Sequence, residues 1–295
     1  MAGHEPITEG HVGEQLDLDL RSTAELVELM NDEDARAAPA VRAAAEPLVA
    51  AIDDIVRRLA AGGRLIYAGA GSSGRVALAD AAECGPTFGL PPGQIIAVVA
   101  GGPTTLAVAQ EAVEDDAGAG AADLAAVSVD AADAVVVLSA SGSTPYALGA
   151  ARAARAAGAL VVCVCAAEGT ELGRLADHEV AVLVGPEVIA GSTRLKAATA
   201  QKLVLNTIST VAMVKLGKTF GNLMVGVVPS NDKLRARARR TVSLATGAAE
   251  DEVGSALAAA DGDPKVAIVS LLAGVDAASA RARLEAAGGA VRRAL

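Results

Sequence analysis

Arg64-Leu-Ile-Tyr-Ala-Gly-Ala-Gly-Ser-Ser-Gly-Arg75 and Ala134-Val-Val-Val-Leu-Ser-Ala-Ser-Gly-Ser-Thr-Pro-Tyr146 follow one pattern: an apolar run breaks into a Gly/Ser loop and resumes as a helix-like sequence. A short buried strand that turns through small residues into a helix aims unpaired backbone N–H groups and hydroxyls at one point, which suits an anion. Two such loops within one domain can hold one bound group from both sides. The guest they point to is a phosphate on a small molecule.

Working outward, β-branched runs recur at about 64–68, 94–99, 134–138, 160–165 and 179–184, separated by helical patterns at 73–83, 104–116 and 145–157. This alternation implies α/β architecture, a parallel sheet covered by helices on both faces. If the strands take the order 2-1-3-4-5, ligands bind outside the carboxyl ends of the first and third strands, which carry the two loops. Upstream, Ser22-Thr-Ala-Glu25 is a capping box, and 41–61 reads as an Ala-rich helix stopped by Gly62-Gly63. Downstream, a helix is predicted over 195–216, capped by Ser192 or Thr193, and 248–260 and 276–287 read as a small helical tail.

Composition narrows the function classes. The formal charge is −10 over 295 residues, with no Lys/Arg run of the kind that binds nucleic acid or an anionic membrane. Cys84, Cys163 and Cys165 have neither metal-type nor disulfide-framework spacing and read as buried, reduced thiols. The N-terminal Met-Ala-Gly-His-Glu-Pro lacks the regions of a signal peptide, so a cytoplasmic location is expected. Aromatics make up only 1% of the chain, so the core must be built from Ala, Val, Leu and Ile. Tyr67, Phe88 and Tyr146 fall beside the loops, Phe220 lies further along, and packing alone would account for all four.

Gly69-Ala-Gly-Ser-Ser-Gly74 satisfies the dinucleotide fingerprint, but the next strand ends in Gly101-Gly102 instead of the carboxylate that would bind a ribose. Among the carboxylates, Glu83 stands before Cys84-Gly85-Pro86, where a helix end would push its pKa upward and suit it to general acid work. Glu111, Glu114, Asp115 and Asp116 cluster near the end of the helix predicted over 104–116, as a solvated face or as part of a site. His4, His11 and His178 are too scattered for a metal site or a catalytic triad, and no metal or cofactor is expected. Gly185-Pro-Glu-Val-Ile-Ala-Gly-Ser-Thr-Arg-Leu-Lys196 follows the last strand and would bring Glu187, Ser192, Thr193, Arg194 and Lys196 to the same rim.

With those residues in place, the chain resembles the N-acetylmuramic acid 6-phosphate etherases of the sugar isomerase (SIS) fold. The resemblance is carried by Ile7-Thr-Glu-Gly10, Asn31-Asp-Glu-Asp34, Gly69-Ala-Gly-Ser-Ser-Gly-Arg75, Asp80-Ala-Ala-Glu-Cys84, Pro86-Thr-Phe-Gly89, Glu114-Asp115, Ser139-Ala-Ser-Gly-Ser-Thr-Pro-Tyr146, residues 185–202 and Gly221-Asn-Leu-Met224. It implies a three-layer α-β-α sandwich with a five-stranded parallel sheet at 55–232, an N-terminal helical extension at 1–54 and a C-terminal helical region at 233–295. It further implies cleavage of the lactyl ether of the muramic acid phosphate in peptidoglycan recycling, by a homodimer. Glu83 is carried over as acid and Glu114 as base, with Ser72, Ser73, Ser139, Ser141 and Thr144 as the phosphate cradle and Glu187, Ser192 and Lys196 as further substrate contacts. The chain departs from the family pattern at Gly85 (usually Pro), Ser143 (commonly Arg), Ala198 (commonly Gly) and Gly226 (commonly Asp). A non-catalytic sugar-phosphate sensor and an aldose–ketose isomerase share the loops; only the etherase needs both carboxylates, one to remove a proton and one to protonate the leaving group.

Overall fold

The computed structural model describes residues 17–102, 105, 111–226 and 232–295. His4, His11 and Ile7-Thr-Glu-Gly10 lie outside them, as do 104 and 106–110 of the helix predicted over 104–116, whose described end is instead a short 3-10 turn, Glu111–Val113. The chain divides into two compact units, one of residues up to Ala81 with Gly93–Ile208, the other of Ala82–Pro92 with Ser209–Leu295.

The first unit opens with α1 (Thr23–Asp34), α2 (Ala37–Ala43) and α3 (Ala45–Ala60). The capping box is present: the Ser22 hydroxyl accepts the Glu25 N–H while the Glu25 carboxylate accepts the Ser22 N–H. The single helix expected over 41–61 is instead two, broken at Ala44. Pro47 accounts for the break, because its ring would strike the carbonyl four residues earlier and it has no N–H to donate.

Five strands follow with their crossover helices: β1 (Leu65–Gly69), α4 (Gly71–Phe88), β2 (Ile95–Val99), α5 (Ala117–Ala126), β3 (Ala134–Leu138), α6 (Pro145–Ala156), β4 (Leu160–Cys165), α7 (Glu171–Leu175) and β5 (His178–Ala181). All pair in parallel, in the order β2-β1-β3-β4-β5. Every residue of β1, β3 and β4 is buried, as a sheet covered on both faces requires. Ile66, Ala68, Val135, Val137, Val161 and Cys163 pack on Leu124 of α5, the alanines of α6 and Leu172 of α7. With so few aromatics, helices must come close. A Cβ on Gly149 of α6 would lie 1.9 Å from the Ala117 carbonyl oxygen, so only glycine permits that approach.

The other face meets α3, which packs against β3, β4 and β5, and the α4 side of the sheet, where the buried Tyr67 hydroxyl donates to Asp80 at 2.9 Å. Asn206, on α8 (Lys196–Lys215), donates to the same carboxylate at 2.6 Å. At the amino edge, Asp133 accepts from the Arg64 N–H and guanidinium and from the Asp130 N–H. Burial pushes its carboxyl up, but those donors outweigh burial and hold it below the usual range.

The second unit contains the ends of α4 and α8, a hairpin of β6 (Thr219–Phe220) and β7 (Leu223–Met224), and α9 (Asp232–Thr246), α10 (Glu250–Ala259), α11 (Pro264–Ala273), α12 (Ala277–Ala286) and α13 (Val291–Ala294). Its own apolar cluster joins Val225, Val242, Val253, Ala267 and Ile268.

Candidate active site

The parallel register pairs Gly69 with Leu138, so the two Gly/Ser loops leave the carboxyl edge side by side. In the first, Gly74 lies against the end of β1: a Cβ there would fall 2.6 Å from Val99 Cγ1 and 2.7 Å from the Gly69 carbonyl oxygen. That contact turns α4 back over the strand. Gly71 has φ +53, and a Cβ on it would lie 3.3 Å from Glu114 Oε2. The Glu114 carboxylate is therefore packed against the backbone of the first loop.

The same residue is tied to the second loop, because its carbonyl accepts the Tyr146 N–H at 3.0 Å. Glu114 is half-buried and lines a cleft of about 290 Å³ with Gly71, Ser72, Arg75, Ser192, Thr193 and Arg194. Ser73 is half-buried but is not a lining residue of this cleft. Arg75 was not singled out from the sequence as a site residue. The available signal was its spacing of three from Ser72, which places both on one helix face.

The second loop is built differently. Ser139 is buried; its hydroxyl lies 2.9 Å from the Thr144 hydroxyl and 3.4 Å from that of Ser141, and it accepts the Gly142 N–H at 3.0 Å. Ser141 also accepts from the Ser143 hydroxyl at 3.0 Å. Thr144 stands at the N-cap of α6 without capping it, so this helix start has no side-chain cap. Pro145 at its first position has no N–H and the Tyr146 N–H is taken by Glu114, so what this loop offers an anion is its hydroxyl cluster beside the positive end of α6.

The acidic cluster has a structural use that the sequence reading missed. Asp116 caps α5, accepting the Ala119 N–H at 3.0 Å, so the carboxylates of this segment precede a helix and favour its positive end. Glu83 also differs from expectation. α4 continues through Pro86 to Phe88, leaving Glu83 exposed in its interior, within the second unit. Glu83 therefore lies outside the last turn of α4, where the field of the helix end has faded.

Of the segment after β5, only part faces the cleft. Ser192, Thr193 and Arg194 line it, whereas Glu187 and Lys196 are buried. Glu187 accepts the Lys196 and Ala197 N–H groups at 3.1 and 2.9 Å, holding the start of α8. The Lys196 ammonium donates to the Glu33 carboxylate and the Pro186 carbonyl.

Tyr146 and Tyr67 are core residues. The Tyr146 hydroxyl donates to Asp123 at 2.8 Å, and burial with that carboxylate pushes its pKa up. Cys84, Cys163 and Cys165 are buried thiols, and the hydrogen bond to Cys165, with burial, pushes the Cys163 thiol up, which leaves it unreactive. Among the described residues no group of His, Cys, Asp and Glu could hold a metal ion, and no helix is long and apolar enough to cross a membrane.

The SIS domain family model matches residues 107–212, and that of the glucokinase regulatory protein N-terminal SIS domain matches 47–155. The fold is similar to that of a phosphoheptose isomerase from Francisella tularensis, at 20% identity and a TM-score of 0.53, over 66% of this chain and 100% of that one. Similarity to the N-acetylmuramic acid 6-phosphate etherase of Rubrobacter xylanophilus is far higher, 56% identity over 99% of this chain and 96% of that protein. The etherase of Streptomyces avermitilis is 50% identical over 98% of this chain and 93% of its own. At that identity over nearly the whole length, the chain belongs to the N-acetylmuramic acid 6-phosphate etherase family, built on the SIS fold.

Proposed function

We propose that this enzyme cleaves the D-lactyl ether of N-acetylmuramic acid 6-phosphate in peptidoglycan recycling, with Glu114 as base and Glu83 as acid. Ring opening of the sugar exposes an aldehyde, which acidifies the C2 proton and leaves the ether oxygen on C3 as a β leaving group. Glu114 removes the C2 proton, the C3–O bond breaks, and Glu83 protonates the departing lactate oxygen. Water then adds at C3 of the unsaturated aldehyde with the two roles reversed, Glu83 taking its proton and Glu114 returning one to C2. The products are N-acetylglucosamine 6-phosphate and D-lactate.

The observation that carries this reading is Glu114, a half-buried carboxylate in a cleft, packed on one Gly/Ser loop and bonded through its backbone to the start of the helix after the other. In this reading Ser73, Ser139, Ser141 and Thr144 take the phosphate, and Ser72 and Ser192 contact the sugar from the cleft. Glu187 and Lys196 act from beneath by holding the loop that carries Ser192. The protein acts in the cytoplasm as a homodimer. Sensor and isomerase readings are not favoured by identities of 50–56% to etherases.

Incubation with the muramic acid phosphate in D2O enriched in oxygen-18 tests the chemistry. Expected are free lactate without heavy oxygen, deuterium at C2 and oxygen-18 at C3. Heavy oxygen in the lactate hydroxyl instead would overturn elimination across C2–C3.

A further inference from the structure

Helix α1 has one buried residue, and it is a carboxylate, Glu33. Its apolar residues do not dock it: Val27 is 55% exposed, and Leu26, Leu29 and Met30 are only half-buried. Glu33 meets Lys196, whose side chain is 1% exposed, and its other oxygen lies 3.3 Å from the exposed Arg36 guanidinium. Lys196 also donates to the carbonyl of Pro186, at the far end of the loop that Lys196 itself terminates. Glu187 then bonds the backbone of the same lysine. Both ends of the loop are thus pinned at Lys196, and the stretch between them, Gly191–Arg194, forms one wall of the cleft.

We propose that Glu33 is a positioning residue for this site: through the Lys196 ammonium it fixes the base of the 186–194 loop and so sets where Ser192 and Thr193 stand. The proposal rests on the reading of the cleft as the substrate site. It gives the Asn31-Asp-Glu-Asp34 segment a role, since Asn31, Asp32 and Asp34 are exposed and only Glu33 turns inward. Stability alone does not call for such a pair, because a buried ion pair is commonly replaced by apolar residues of similar volume without loss. What an apolar pair cannot do is direct a hydrogen bond to the Pro186 carbonyl, which has to be held if the loop is to keep one shape. An ammonium has three donors, and Glu33 and Pro186 occupy two.

The test combines kinetics with amide hydrogen exchange in Glu33→Gln, Glu33→Ala and the double variant Glu33→Met/Lys196→Met. In Glu33→Ala, exchange in 188–195 is expected to accelerate while β1 and β3 stay protected, and KM for the muramic acid phosphate to rise about tenfold with kcat within about threefold, the signature of lost binding geometry. Glu33→Gln, which still accepts from Lys196, should show a smaller rise. If Glu33→Ala does not fold, the double variant restores an apolar fit and should fold with the same raised KM, since neither methionine reaches Pro186 with a donor. A folded variant with wild-type loop exchange overturns the proposal whatever its kinetics. Accelerated loop exchange with unchanged KM supports the clamp and overturns the assignment of Ser192 to substrate, so the two failures are separable.

Discussion

The two Gly/Ser loops share a sequence pattern and a position at adjacent strand ends, yet they are held by different forces. The first is a packing device: Gly74 sits where any side chain would strike the Gly69 carbonyl, and Gly71 leaves room for the Glu114 carboxylate. The second is a hydrogen-bonding device, in which the hydroxyls of Ser139, Ser141, Ser143 and Thr144 bond chiefly to one another. One loop spends its small residues on closeness and presents a carboxylate. The other keeps its donors satisfied until an anion exchanges with them. Such a division suits a site that must grip a phosphate and also remove a proton.

Glu114 is where the comparison should break most visibly, because it touches both loops. Glu114→Gln keeps the shape and the backbone bond to Tyr146 but removes the proposed base, so lactate release and C2 hydrogen exchange should both fall by about a thousandfold, within the range for general base removal. Glu83→Gln should block lactate release yet leave measurable C2 exchange. NMR of the recovered sugar in D2O with a coupled lactate assay reads both. Equal loss of the two activities in both variants would reject the division of labour.

Gly74→Ala attacks the packing loop alone. Its new methyl meets a backbone carbonyl that cannot swing aside, so a destabilisation of about 3 kcal/mol is expected, read as a lower urea midpoint. An unchanged midpoint would mean that the strand-to-helix turn has slack the geometry does not reveal.

How far the sequence alone reached follows the same line. β3 and β4 were legible to the residue, because fully buried parallel strands read as unbroken β-branched runs bounded by polar or Gly positions. The loops were legible because small residues between such a strand and a helix leave few alternatives. Helix ends were harder. Pro86 reads as a stop, but Gly85 before it has no Cβ to clash with the proline ring, so α4 carries on to Phe88 and Glu83 becomes an interior residue. Pro47 had the opposite effect on the run at 41–61. The inward turn of Glu187 and Lys196 was not readable at all, since it depends on Glu33, more than 150 positions away, and pairing at that range leaves no periodic trace.

Ser139→Ala and Ser72→Ala make the finest cut between the loops. Removing the Ser139 hydroxyl strips Thr144 of a partner and leaves the Gly142 N–H only its bond to the Ser139 carbonyl at 3.2 Å, so about 1 kcal/mol of stability should be lost together with phosphate affinity. Ser72 is half-buried on the cleft wall, where water replaces whatever the substrate vacates. Its alanine variant should unfold within about 0.5 kcal/mol of the parent. Its KM should nonetheless rise about fivefold, the worth of one neutral hydrogen bond of about 1 kcal/mol. Paired urea melts and steady-state kinetics decide the matter. If Ser72→Ala proves the more destabilising of the two, then the first loop, like the second, is held by its hydroxyls, and the contrast between packing and hydrogen bonding disappears.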